Sequence, residues 1–209
     1  KKAASSNEAV VTVKANAEAA DLSHDLVVTA LADGVKKTSS AAITTGTVKD
    51  TLANQFGISG TFNISITNGT ATKSIAVDSS KSIYELVSSI NNSGTNVSAS
   101  YDATLDRFFL STKDTGAASG ISFAGSDVAG TDFLANNLKI STTAATGSDA
   151  SFSLDGVALT KSTNDFTISG VNYSLKSVGG SDATPIKIAV SSDIETTVAN
   201  VKAYVESYN

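Results

Sequence analysis

The stretch from Thr61 to Thr112 constrains the fold more than any other, because strand, helix and strand periodicities follow one another in it without a gap. Residues Thr61 to Thr67 alternate, so Phe62, Ile64 and Ile66 share one face and polar side chains the other, the period of a half-buried strand. Asn68-Gly69 reads as the central pair of a two-residue hairpin loop, where both positions need φ > 0, and the chain returns through Ile75 and Val77. Ser82-Ile83-Tyr84-Glu85 is a capping box, in which the serine accepts from a free helical N–H and the glutamate reaches back. Ile83, Leu86, Val87 and Ile90 then form one helical stripe, which Asn91, Asn92 and Gly94 are expected to stop. Val97 to Tyr101 alternates again, turns through Asp102 to Asp106 and returns as Arg107 to Thr112. The predicted unit is β-β-α-β-β.

The remainder of the chain is read against that unit. Val10 to Lys14 and Leu26 to Leu31 are predicted strands, joined by a polar connection from Ala15 to Ser23; Thr38 to Thr51 is a small-residue stretch and Leu52 to Phe56 is ambiguous. A strand at Ile121 to Ala124 and a short helical turn within Thr131 to Leu138 precede the Thr, Ala, Gly and Ser run from Thr142 to Ser148. Ser151 to Thr160 is a hairpin about Asp155-Gly156, strands flank Gly170, and Ile186 to Val190 alternates strictly. At the end of the chain, Ser192 to Glu195 is a second capping box. Ile194, Val198, Val201, Val205 and Tyr208 follow at heptad spacing. A seam still in register at the last residue, with no Met at position 1, reads as an excised fragment whose partner helix lies outside it; a terminal helix packing on its own sheet is the alternative.

The fold class expected is α+β, mainly antiparallel β. A discontinuous β-rich domain is expected from 1–52 and 148–191, with a β-β-α-β-β-containing domain of 53–147 inserted into it, and 192–209 starting a helical stalk. The length of 209 residues and 41% hydrophobic content support real cores. With 6% aromatic residues and no Trp, these cores are expected to be built mainly of Val, Ile, Leu and Ala. A net charge of −5 and a single Arg leave no basic stripe for phosphates, so nucleic acid is excluded as a partner. No apolar run approaches the roughly 18 residues of a membrane span, and the N-terminus lacks the apolar core of a signal peptide. The absence of cysteine removes disulfides and thiolate chemistry together.

Catalytic constellations are poor. His24 is the only histidine and stands beside Asp25, but no G-x-S-x-G elbow accompanies it, and a surface-loop histidine is the default reading. Asp102 and Asp106 flank a turn without the dense alternating oxygen ligands of a calcium loop. Gly116, Gly120 and Gly179-Gly180 fit no phosphate-binding motif and read as turns. The expectation is a non-enzyme with no catalytic residue, metal or cofactor.

Two stretches resemble known families. Ser82, Ile83, Leu86, Val87, Ile90 and Asn91, then Asn96, Val97, Ala99, Tyr101 and Asp102, then Arg107, Phe108 and Leu110 resemble the internal repeat of bacterial flagellar axial proteins. Leu154-Asp155-Gly156-Val157, Lys161-Ser162-Thr163-Asn164, Gly170-Val171-Asn172-Tyr173-Ser174-Leu175-Lys176, Ile188-Ala189-Val190 and the closing Val198 to Asn209 resemble the latter half of the filament capping, or hook-associated protein 2, family. Lysine stands at 161 where that family usually has arginine, and Leu26 to Ala32 resembles a segment nearer the family's N-terminus. The resemblance implies a secreted, extracellular protein of the bacterial flagellum. Its expected partners are itself, as a homo-oligomeric plate, and flagellin, whose folding and insertion it helps. Ile194, Val198, Val201, Val205 and Tyr208 are the candidate partner-contact residues. The alternatives are a surface adhesin module binding host mucin or glycan, a hook–filament junction protein, and an enzyme acting on polysaccharide.

Overall fold

The computed structural model describes residues 1–44 and 49–208, apart from the side chains of residues 195–197, 200 and 208. It divides into two compact units, Lys1–Ala32 with Asp149–Asn209, and Asp33–Ser148. The first unit opens with β1 (Lys2–Ser5), β2 (Val11–Ala15) and β3 (Ser23–Ala30). The second contains β4 (Lys36–Thr38), α1 (Leu52–Phe56), β5 (Thr61–Asn68), β6 (Ala71–Asp78), α2 (Ile83–Asn91), β7 (Val97–Asp102), β8 (Arg107–Thr112), β9 (Gly120–Ile121), α3 (Val128–Asp132), a π-helical turn at Phe133–Asn137 and β10 (Ala145–Thr146). The chain then returns to the first unit as β11 (Ala150–Leu154), β12 (Val157–Lys161), β13 (Asp165–Ile168), β14 (Val171–Leu175), β15 (Ile186–Ser191) and α4 (Ile194–Tyr208). All strand pairs among the described residues are antiparallel.

In the first unit a five-stranded sheet, β1-β15-β3-β11-β12, and a three-stranded sheet, β13-β14-β2, share one core. Strict alternation in β15 sends Ile186, Ile188 and Val190 inward and leaves Lys187, Ala189 and Ser191 exposed. Phe152 of the larger sheet stacks on Phe166 of the smaller at 4.7 Å between ring centroids, and Phe166 stacks on Tyr173 at 5.5 Å. Three aromatic rings thus supply the bulk that a Val- and Ile-rich core otherwise lacks. The β11–β12 and β13–β14 loops are Asp155-Gly156 and Ser169-Gly170, each with both central residues at positive φ, as the favoured two-residue hairpin requires.

In the second unit, α2 packs on β7, and the sheets β4-β8-β7, β5-β6 and β9-β10 contribute to one core with Ile64, Ile66, Ile83, Ile90, Phe108 and Leu110 at its centre. The capping box forms as expected. Glu85 N–H donates to Ser82 Oγ at 3.4 Å and Ser82 N–H to Glu85 Oε2 at 2.8 Å. Of the predicted stripe, Ile83, Leu86 and Ile90 are buried and Val87 is half-buried against the same core.

Two expectations differ from what is observed, and one ambiguous segment is resolved. The first domain crossing lies between Ala32 and Asp33, before the expected 52/53, because Val35, Ile43 and Leu52 are buried in the core of the second unit. These are isolated apolar residues in a small polar stretch, so no periodicity marked them. Thr45 to Val48 of that stretch lie outside the described residues. Leu52 to Phe56 is a helix, with Thr51 as N-cap and Gly57 in the left-handed conformation after it. Finally, the β5–β6 register pairs Asn68 with Ala71, so the loop is Gly69-Thr70. Only Gly69 has positive φ there (57°), as in a II′ turn, and Asn68 is a strand residue whose amide is free for other work.

Helix α3 meets β5 through a close approach. Asp127 caps it, accepting from Gly130 N–H at 2.7 Å with one carboxylate oxygen and from Asn63 N–H of β5 at 2.8 Å with the other. Gly130 lies so near β5 that a Cβ there would stand 2.0 Å from the Asn63 carbonyl oxygen.

Candidate partner-binding helix and its supports

Helix α4 follows β15 directly, and β15 pairs with β1 in the register Lys2 to Ser191, which sets the root of the helix beside the start of the chain. Asp21 ties that root together: Lys1 Nζ approaches its Oδ1 at 2.8 Å and Ser192 Oγ donates to its Oδ2 at 3.2 Å. The Lys1 ammonium first, with help from Ser192, holds the Asp21 carboxyl below its ordinary value against an opposing desolvation cost. Of the expected capping box, the side chain of Glu195 lies outside the described residues.

Along α4 the predicted seam is on the surface. Ile194, Val198, Val201 and Val205 retain 69%, 46%, 58% and 50% of their exposure, and Tyr208 lies outside the described side chains. Ile194, Val198, Ala199 and Lys202 line a shallow groove of about 380 Å³. Four branched apolar side chains on one stripe of a 15-residue helix are what a second apolar helix needs as a seam. Burying each would gain roughly 1.5–3 kcal/mol. An isolated helix of this length is marginal in water.

The polar candidates take structural places. His24 Nδ1 lies 2.7 Å from Asp155 Oδ2, while Asp155 Oδ1 accepts from Asp25 N–H at 2.8 Å. The pair pins the β11–β12 turn to β3, and Lys187 closes on Asp25 at 2.6 Å from the neighbouring strand. The Asp25 amide first, and the His24 ring second, hold the Asp155 carboxyl below the usual carboxylate value. Asp102 accepts from Thr104 and Leu105 N–H groups in its own turn. Asp106 accepts from Tyr101 Oη at 2.7 Å and from Thr44 N–H at 3.1 Å, and burial with this bond pushes the Tyr101 hydroxyl up to about 12. Both aspartates are thus turn and loop anchors. Among the described residues no three His, Asp or Glu side chains converge as metal ligands.

Asparagines were missed as supports. Asn91, read as a helix stop, is the last residue of α2, and its amide accepts from Ala99 N–H at 2.7 Å and donates to Ala99 O at 3.0 Å. Asn164 treats Ala32 the same way, at 2.8 and 2.9 Å. Each carboxamide thereby replaces one rung of a strand ladder, a role that its donor and acceptor pair permits and that a carboxylate cannot fill. Asn164 holds the residue at which the chain leaves the first unit. The signal for both was their place in the two resembled motifs, with no periodicity to explain it.

Residues 147–209 match the family model described as the flagellar hook-associated protein 2 C-terminus, and residues 61–114 match the flagellin hook IN motif. The chain is 28% identical over 242 aligned positions to the flagellar hook-associated protein 2 of Halalkalibacterium halodurans, an alignment covering all of this chain and 44% of that protein. This chain therefore spans less than half the length of that relative. Among solved structures, the D2-D3 domains of the Escherichia coli flagellar cap protein FliD superpose with a TM-score of 0.70 at 20% identity, covering 92% of this chain and 99% of that one. The E. coli D1-D2-D3 fragment gives 0.73 at 19% identity, over 100% and 70% of the two chains. FliD (HAP2) from Pseudomonas aeruginosa PAO1 gives 0.62 at 24% identity, over 96% and 92%. Residues 147–209 thus resemble the C-terminus of flagellar hook-associated protein 2, residues 61–114 carry a flagellin hook IN motif, and the fold is that of the D2-D3 domains of flagellar cap proteins.

Proposed function

We propose that this chain is the plate-forming part of a cap at the tip of the bacterial flagellar filament, outside the cell, where the full-length protein assembles with copies of itself and promotes the folding and insertion of flagellin. The observation that carries this reading is the unburied seam of α4, at Ile194, Val198, Val201 and Val205, within the segment that matches the hook-associated protein 2 C-terminus. Such a seam suits a helical leg paired with another helix. Two units built mainly of antiparallel strands suit a steric role. Among the described residues no helix is long and apolar enough to cross a membrane.

The mechanism is conformational. A plate of such units closes a space in which an unfolded subunit is shielded, and weak contacts through the legs let the cap step as each subunit adds. Ile194, Val198, Val201, Val205 and Tyr208 are proposed as the contacts that join the leg to its partner helix. No match reported above carries the adhesin reading or a host glycan partner. The test is deletion of the full-length gene, complemented with the wild-type gene or with one carrying Val198→Asp and Val201→Asp. Deletion is expected to leave flagellin in the medium as monomer with no filaments. The seam variant is expected to restore filaments poorly, and normal filaments in the deletion strain would overturn the proposal.

A further inference from the structure

We propose that Asn68 is a deamidation site that folding keeps closed, and that its conversion disables a clamp joining three segments of the second unit. Asn68-Gly69 is the only Asn-Gly pair in the sequence. Glycine leaves the following backbone nitrogen unhindered, since it has no Cβ to block approach to the asparagine side chain. The chemistry runs through that nitrogen. The Gly69 amide nitrogen, giving its proton to water, attacks Asn68 Cγ; ammonia leaves, and a cyclic imide forms. Water then opens either carbonyl of the ring, giving aspartate or its β-linked isomer.

In the folded chain every polar atom of the Asn68 carboxamide is engaged. Oδ1 accepts from Gly120 N–H at 2.8 Å, and Nδ2 donates to Thr95 O at 3.1 Å and to Asn96 O at 3.4 Å. The residue is buried at the end of β5, and its amide joins three segments: the β5 end, the turn before β7 and the start of β9. Turning Cγ onto the Gly69 nitrogen breaks these bonds, so the reaction needs a local opening of the unit. The product cannot remake the clamp. A carboxylate has no N–H for the Thr95 and Asn96 carbonyl oxygens and would set a buried charge against them. The β-linked isomer also adds a backbone atom to β5 and spoils its register with β6.

The test compares the unaltered chain held folded with the same chain held in guanidinium chloride, at one pH and temperature, with peptide mapping by mass spectrometry. Deamidation at Asn68 is expected to be at least about tenfold slower in the folded sample, the factor that roughly one to two net hydrogen bonds supply. Equal rates in the two samples would overturn the protection. Asn68→Asp tests the clamp. It is expected to lower the denaturant midpoint of the second unit and to speed hydrogen exchange at the Gly120 amide, and a wild-type midpoint with a protected Gly120 would overturn that half of the proposal. The rate comparison needs no variant and stands even if Asn68→Asp fails to fold.

Discussion

Replacing Gly130 by alanine sets two effects against each other, and the structure says which wins. On helix propensity alone, Gly130→Ala in α3 should stabilise by up to about 1 kcal/mol. The added Cβ, however, would stand 2.0 Å from Asn63 O and 2.9 Å from Asn63 C, and both are backbone atoms of β5 that no side-chain rotation can clear. Helix α3 must therefore move away from β5. An overpacked contact of this kind costs about 1–3 kcal/mol. The shift also breaks the bonds between Asp127 and Asn63, of which the 2.8 Å N–H to carboxylate bond is the stronger, at about 1.5–3 kcal/mol for a charged partner. Against a gain of about 1, the net loss is about 1.5–5 kcal/mol for the second unit. With a urea m-value of about 2 kcal/mol/M, the midpoint should fall by about 0.8–2.5 M. The assay is urea unfolding read from amide NMR signals of Asp33–Ser148, with those of the first unit as an internal reference. An unchanged or raised midpoint would refute the close-approach argument and leave propensity as the deciding effect.

Further tests address the supports and the seam. Asn91→Ala should destabilise the second unit by about 2 kcal/mol by orphaning both Ala99 backbone groups, and Asn91→Asp should not rescue it, since its carboxylate faces the Ala99 carbonyl; equal stability of Asn91→Asp and wild type in urea would count against the clamp. The Asp155 carboxyl is depressed below 3.8 in the fold, chiefly by the Asp25 amide, so its contribution is complete above that value and is lost as pH falls through the lower native value. Asp155→Asn should therefore flatten the fall in first-unit stability below about pH 4, as measured by thermal unfolding across a pH series. Val198→Ser with Val201→Ser should change the stability of this chain by no more than about 0.5 kcal/mol because both valines are exposed, whereas Leu26→Ala in the core should cost about 2–5 kcal/mol; a large loss from the valine pair would place α4 against its own sheet.

Local periodicity made much of the fold legible. The β5–β6 and β7–β8 pairs, the capped helix α2 and the strict alternation of β15 could be read because each buries one face, and burial of one face imprints a period of two or 3.6 on the residues. The two-residue loops at Asp155-Gly156 and Ser169-Gly170 were readable for a related reason, since few residues tolerate positive φ. The β5–β6 loop was not. Asn-Gly satisfies the same backbone rule one residue earlier, and only the pairing of Asn68 with Ala71 places the turn at Gly69-Thr70.

What the sequence determined by itself is the antiparallel α+β character, the apolar seam of α4 and the motifs of a flagellar axial protein, all of them properties of neighbours a few residues apart. Only the tertiary structure decided that the first crossing falls at Ala32, that Asn91 and Asn164 serve as rungs for Ala99 and Ala32, and that Gly130 lies against β5. Those outcomes join residues distant in the chain. A carboxamide or a missing Cβ carries no record in its own neighbourhood of the backbone it will meet, whereas a buried stripe does.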